Sequence, residues 1–139
     1  QIEMKEKKDY SAKARTRSEM NDKILTAEVQ EYIKAHINDD VNKSALAKPV
    51  FEGVGSTVLA VQIAAKKKAF HKLPTWYSQN RIYYPPLLSI EQCSSEQTAA
   101  YKSNLAIGST LIDLTAGFGV DSFFFAKKAE KVTRYGVQI

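Results

Sequence analysis

Cysteine is nearly absent from this chain, and no hydrophobic run approaches the length of a membrane span. Among 139 residues the one cysteine is Cys93, which excludes an internal disulfide and is typical of a reducing compartment. A membrane helix needs roughly 18 consecutive apolar residues, and no stretch provides them. No signal peptide is recognisable. These absences predict a soluble, cytoplasmic protein.

The chain also has no strong excess of charge of either sign. Lysine and arginine number 20 against 15 acidic residues, for a net charge of +5. This balance permits a polyanionic partner such as RNA but does not require one. Hydrophobic residues make up 44% of the chain, which is ordinary for a globular protein and enough to build one core. We assign no metal ligands.

The first half of the chain changes character after residue 20. Residues 1–20 alternate in charge without apolar periodicity, which predicts a flexible lead, or at most a solvated helix. An amphipathic helix is predicted from Thr26 onwards. Asn38–Asp40 is predicted to contain the C-terminus of this helix and the N-cap of a second, short helix. The apolar stripe recurs every four residues: Leu25, Val29, Ile33, Ile37 and Val41.

A third helix is predicted from an N-cap at Ser56 to about Phe70, with Phe70 on its buried side. Its last turns hold the densest group of cations in the chain. Two interpretations stay open: a phosphate-contacting patch, or a solvated helix end whose cations complement the helix dipole. The candidate nucleic-acid-binding residues are Lys66, Lys67, Lys68 and Lys72.

Proline and aromatic residues concentrate between Leu73 and Leu87. Three of the four prolines lie there, and they predict an extended crossing segment rather than a helix. Ser89 then begins a capping-box pattern, which predicts one helix to about Asn104. Cys93 lies within this helix, and we assign it a structural role because no base is near it in sequence.

The stretch from Thr110 to Phe125 predicts a strand, a glycine turn and a helix, with the helix spanning Val120–Ala126. Gly117 lets a ligand approach the end of the strand, and Gly119 lets the helix begin close to it. No lysine follows Gly119, so the turn is not a P-loop. A dinucleotide fingerprint is also weakly supported, because its third small position is a serine.

Two acids flank this turn. Asp113 ends the strand and is placed to orient backbone or a polar ligand group. Asp121 lies in the first helical turn, where it could reach the charged end of a ligand or simply complement the helix dipole.

The turn resembles the first motif of class I S-adenosylmethionine-dependent methyltransferases. Its Asp-x-Thr-Ala-Gly-x-Gly-x-Asp wording is similar to that of bacterial RNA methyltransferases, including rRNA guanine-N2 enzymes. With Leu73–Trp76, Tyr84–Lys102 and Thr26–Val41, the resemblance extends over about residues 21–133 to a bacterial family that has a THUMP-like module. It implies S-adenosylmethionine as cofactor and an RNA substrate, tRNA or rRNA. The cofactor residues it implies are Asp113, Thr115, Ala116, Gly117, Phe118, Gly119 and Asp121.

The end of the chain departs from that family. Class I enzymes place an acid at the tip of the second strand, and Lys131–Ile139 contains none. The catalytic motif is expected beyond residue 139, so the catalytic residues stay unassigned. A circularly permuted enzyme could instead use Tyr83–Leu87, although this segment lacks the polar residue before its prolines.

We therefore predict an α/β protein in which a helical domain, residues 21–107, precedes an incomplete Rossmann-like S-adenosylmethionine-binding domain, residues 108–139. The 139 residues alone are expected to be inactive. The alternative is a non-catalytic RNA-binding or interaction module centred on Lys66–Lys72.

Overall fold

The computed structural model describes residues 2–4, 21–114 and 117–135 of the 139-residue chain. The chain forms two compact units. One lies within residues 16–91 and is helical, and the other lies within residues 92–139 and includes an N-terminal strand. No helix in the described ranges is both long and apolar enough to cross a membrane.

Over residues 21–92 the helical unit contains a 3-10 turn and five helices. The turn spans Asp22–Leu25. The helices are α1 Ala27–Ala35, α2 Val41–Leu46, α3 Ser56–Lys72, α4 Pro74–Ser78 and α5 Leu87–Gln92, whose last residue belongs to the other unit.

The core of the helical unit lies between α1 and α3. Its buried residues are Ile24, Val29, Ile33, Val54, Leu59 and Ile63. The predicted apolar stripe is confirmed at Val29 and Ile33. It shifts by one position before Thr26, where Ile24 is fully buried and Leu25 only half-buried. The shift follows from the 3-10 turn, which has three residues per turn and so rotates the buried face relative to the α-helix.

The predicted break after α1 is confirmed, because the Asp40 carboxylate caps α2 by accepting from the Asn42 and Lys43 amides. The predicted cap at Ser56 is wrong. Gly55 is the N-cap of α3, and the Ser56 hydroxyl donates to the Ala47 carbonyl at 2.7 Å instead.

Three further expectations about local structure need correction. Phe70 is 53% exposed, and it packs edge-on against Tyr77 on the surface of the unit. Pro74–Ser78 is a short helix. Proline is tolerated at the first helical position because the backbone N–H there would make no intrahelical hydrogen bond in any case. The helix predicted from Ser89 is broken after Gln92, and Ser95 caps the next helix by accepting from the Thr98 amide.

The second unit is a parallel sheet covered by helices. Its elements are β1 Ile2–Met4, α6 Glu96–Leu105, β2 Thr110–Asp113, α7 Val120–Ala126 and β3 Lys131–Arg134. The strand order is β1-β3-β2, with both pairs parallel. The predicted strand, turn and helix are present with the predicted helix bounds, and α7 supplies the crossover between β2 and β3.

The sequence predicted a flexible lead over residues 1–20, and residues 2–4 are instead an edge strand paired with β3. Three alternating residues are too short a pattern to identify from sequence. Residue 1 and residues 5–20 lie outside the described residues. The sheet unit also begins earlier than the predicted boundary at residue 108, because α6 packs against α7.

Candidate functional site

The strands β2 and β3 end side by side. Asp113 and Arg134 are partners in the parallel register, and the Tyr135 amide donates to the Asp113 carbonyl at 2.7 Å. Ligands of open α/β sheets bind in the crevice outside the carboxyl ends of the strands. The side chains at these two positions therefore define the candidate site.

The turn between β2 and α7 uses two glycines in left-handed backbone conformations. Gly117 has φ 45° and Gly119 has φ 89°. Such angles cost an L-residue about 1–2 kcal/mol, so both glycines are required by the backbone itself. Gly119 is the N-cap of α7 and is buried. The predicted cofactor residues Thr115 and Ala116 lie outside the described residues, and Phe118 is half-buried in the turn.

Asp113 is held by Ser122, which was not among the predicted site residues. The Ser122 hydroxyl donates to Asp113 Oδ2 at 2.6 Å, and Ser122 is 1% exposed. A short bond to a carboxylate is stronger than a neutral hydrogen bond. Ser122 therefore locks the first turn of α7 onto the end of β2, which explains a hydroxyl at the third small position of the motif.

Asp121 is also engaged by neighbouring side chains, which belong to α6 and the segment before it. Lys102 Nζ lies 3.2 Å from Asp121 Oδ2 and 3.3 Å from Oδ1. The Ser94 hydroxyl donates to Oδ2 at 2.9 Å and accepts from Lys102 at the same distance. The carboxylate is 28% exposed and Lys102 46%, so a ligand can reach both groups. Neither Lys102 nor Ser94 was identifiable from sequence spacing.

Arg134 extends from the end of β3 across the glycine turn. Its Nη2 donates to the Gly117 carbonyl at 3.3 Å. A Cβ atom built on Gly119 would lie 2.9 Å from Cζ and from both terminal nitrogens of this guanidinium. The bare backbone face that the two glycines create is thus covered by a cation.

The cation cluster of α3 divides into one buried lysine and several exposed ones. Lys66 is 4% exposed, donates to the Tyr77 carbonyl at 3.4 Å, and lies over the rings of Tyr77 and Tyr84. Burial, with a contribution from the Lys34 charge, lowers the pKa of Lys66 below its usual 10.5. Lys66 is therefore an internal packing residue here, although it was predicted as a nucleic-acid contact.

Next to Lys66, Tyr84 is 3% exposed, and its hydroxyl has no hydrogen-bond partner in the part of the chain that the structure describes. Burial, and secondarily the neighbouring Tyr77, raises the pKa of Tyr84 to about 12.

The other predicted lysines lie at the surface of the helical unit. Lys67 is exposed. Lys68 lies 3.6 Å from the Glu91 carboxylate, and Lys72 donates to the Glu91 carbonyl at 2.5 Å. An exposed ion pair such as Lys68–Glu91 contributes about 0–1 kcal/mol, so a polyanion could compete for Lys68.

Comparison with solved structures indicates the same class of fold as the glycine turn does. No family model and no curated protein matches the chain. Among solved structures, a crystal structure described as a "putative methyltransferase" from Porphyromonas gingivalis W83 superposes with a TM-score of 0.66 at 27% sequence identity. The match covers 85% of this chain and 29% of that chain, so this chain spans less than a third of that protein's length. The fold is methyltransferase-like.

The predicted fold class is therefore confirmed: α/β, with a helical N-terminal segment followed by an incomplete Rossmann-like unit. The roles predicted for individual cofactor residues stay predictions.

Proposed function

We propose that the sheet unit is the first part of an S-adenosylmethionine-binding domain of a methyltransferase. The observation that supports this most directly is the left-handed Gly117–Gly119 turn, between parallel strands, in a chain similar to a methyltransferase structure. The two glycines leave a backbone face without side chains of its own, which the Arg134 side chain covers in this structure, and Asp113 and Asp121 stand on either side of the turn.

The described residues fit one end of this cofactor better than the other. Asp121, which pairs with Lys102 in this structure, could accept hydrogen bonds from the ammonium of the methionine moiety. The tip of β3, where class I enzymes hold the ribose hydroxyls with an acid, presents Arg134, which has donors only. The bound cofactor would supply the methyl group, activated on its sulfonium. The protein residues shown here orient it.

Calorimetric titration with S-adenosylmethionine tests the proposal. We expect saturable binding, and we expect Asp121→Asn to weaken it by about 10-fold or more, the value of a hydrogen bond to a charged group. Asp39→Asn is the matched control, because Asp39 is an exposed acid in the helical unit. Equal affinities of the two variants contradict the assignment, and so does the absence of saturation both in the wild type and in a chain whose Arg134, the residue that covers the turn, is replaced by alanine.

RNA as the methyl acceptor is a separate part of the proposal, and it rests on the resemblance and on surface charge. We expect RNA affinity to fall linearly with the logarithm of salt concentration. Changing Lys67, Lys68 and Lys72 to glutamine should reduce that slope, whereas changing Lys43, Lys127 and Lys128 should reduce it less. Equal slopes would remove the α3 patch as the contact surface.

The second candidate is a non-catalytic RNA-binding module, favoured by the exposure of Lys67 and its neighbours. It predicts RNA binding that survives Gly117→Val in a chain that does not bind S-adenosylmethionine. We also propose that the 139 residues alone transfer no methyl group. Methyl transfer to RNA by this chain would disprove that.

A further inference from the structure

Arg134 lies where a ligand of the glycine turn would have to lie. It is the last residue of β3 and the register partner of Asp113 at the carboxyl edge of the sheet. Its guanidinium contacts the face of Gly119 that lacks a side chain and hydrogen-bonds to the Gly117 carbonyl. The space that a Cβ of Gly119 would need is therefore taken by the guanidinium.

The two glycines and the arginine therefore have opposing effects on ligand access. Glycine at both positions removes the side chains that would keep a ligand away from the backbone. The Arg134 side chain fills the space that results. Because a nucleoside cannot occupy the volume of the guanidinium, binding requires the hydrogen bond from Arg134 to Gly117 to break first.

We propose that Arg134 is a gating residue: its side chain covers the glycine turn and must move away before an adenosyl ligand binds. The inference rests on the proposed function for the identity of the ligand. The contact itself is a property of this chain. Arg134 reduces affinity by covering the turn, so its removal strengthens the binding of any ligand that uses the uncovered backbone.

The test compares Arg134→Ala with the wild-type chain in titrations with S-adenosylmethionine and S-adenosylhomocysteine. If the Arg134 side chain covers the turn, both ligands should bind about 3- to 10-fold tighter to the variant. This factor is the equivalent of one ordinary hydrogen bond that no longer has to be broken. Lys131→Ala is the matched control: it removes a positive charge from the opposite end of the same strand, and its affinities should equal those of the wild type. Arg134→Gln, which shortens the side chain and removes its charge, is the second variant, and it should also bind both ligands more tightly than the wild type.

The two ligands separate covering from simple charge repulsion. S-adenosylmethionine has a sulfonium charge that S-adenosylhomocysteine lacks. Tightening of the sulfonium ligand alone would show that Arg134 acts only through its charge and would overturn the proposal. Unchanged or weaker binding of both ligands by Arg134→Ala would also overturn it.

A direct readout does not depend on any affinity difference. The Nε–Hε resonance of Arg134 should move when ligand is added to the wild-type chain, while that of Arg81, in the helical unit, should not. Binding that leaves the Arg134 signal in place overturns the inference and leaves the proposed function intact. If neither the wild type nor either Arg134 variant binds an adenosyl ligand, both the proposed function and the inference fail.

Discussion

Replacing Gly119 with alanine should destabilise the sheet unit, for two reasons that can be estimated separately. The backbone at φ 89° costs an L-residue about 1–2 kcal/mol. The new Cβ would also lie 2.9 Å from the guanidinium of Arg134. Since that group is the end of a flexible side chain, it moves aside and forfeits its bond to Gly117, at a cost of about 0.5–1.5 kcal/mol. The two contributions together predict a loss of about 1.5–3.5 kcal/mol.

Gly55 provides a matched control. It is the N-cap of α3, as Gly119 is of α7, and neither helix has a side-chain cap bond at that position. Its φ of −66° suits any residue, and an added Cβ would meet nothing within 4 Å. For Gly55→Ala we expect a change near zero, because the loss of a favourable cap residue is offset by a gain of about 0.4–1 kcal/mol from the stiffer unfolded chain.

Native-state amide hydrogen exchange measures each unit separately. The Tyr135 amide, bonded to the Asp113 carbonyl, is the probe for the sheet unit, and the Leu59 amide, bonded to the Gly55 carbonyl, is the probe for α3. The free energy of opening at Tyr135 should fall in Gly119→Ala, while that at Leu59 should be nearly unchanged in Gly55→Ala. Losses within about 0.5 kcal/mol of each other would refute the argument, because the cap contribution is common to both variants.

Four other substitutions have expected outcomes. Ser122→Ala removes the hydroxyl that bonds Asp113 and should cost about 1.5–3 kcal/mol of opening free energy at Tyr135; a loss below 0.5 kcal/mol would contradict the role given to Ser122. Ile63→Ala, at a fully buried core position, should cost about 2–5 kcal/mol in urea unfolding followed by Trp76 fluorescence. Wild-type stability should rise with pH towards 10.5 as the need to bury a charged Lys66 disappears, and Lys66→Met should flatten this rise; parallel curves below pH 10 would contradict it. Because the pKa of Tyr84 is raised to about 12, the wild type should lose stability between pH 10 and 12, where only the unfolded tyrosine ionises, and Tyr84→Phe should not; equal losses would contradict it.

Predictions from the sequence were most accurate where the structure depends only on residues close together in the chain. The strand, the glycine turn and the bounds of α7 were predicted from the spacing of Gly117 and Gly119 and from the apolar run after them, and the structure adds that both glycines are left-handed. Asp40 as a helix cap is equally local, since its carboxylate bonds amides two and three residues away. The same reasoning failed at Ser56, whose hydroxyl found a partner nine residues upstream.

Residues whose role depends on distant partners could not be assigned from the sequence. A run of lysines predicts a charged surface, yet Lys66 is buried because α4 and the Tyr84 segment fold over it. Phe70 has the period of a buried residue but lies at the surface. Lys102 acquires its role only when α6 is packed against α7, 19 residues away in the chain.

What the sequence alone determined is the backbone of the site: a glycine turn between two strands, with Asp113 and Asp121 at fixed positions beside it. Those features arise from dihedral preferences and short-range spacing, which a single sequence records. Tertiary structure alone decided which groups contact this turn: the Ser122 hydroxyl bonds Asp113, the Lys102 ammonium pairs with Asp121, and the Arg134 side chain covers the glycines. The reason is physical: parallel pairing of β2 with β3 and the packing of α6 on α7 bring together groups that no local pattern connects.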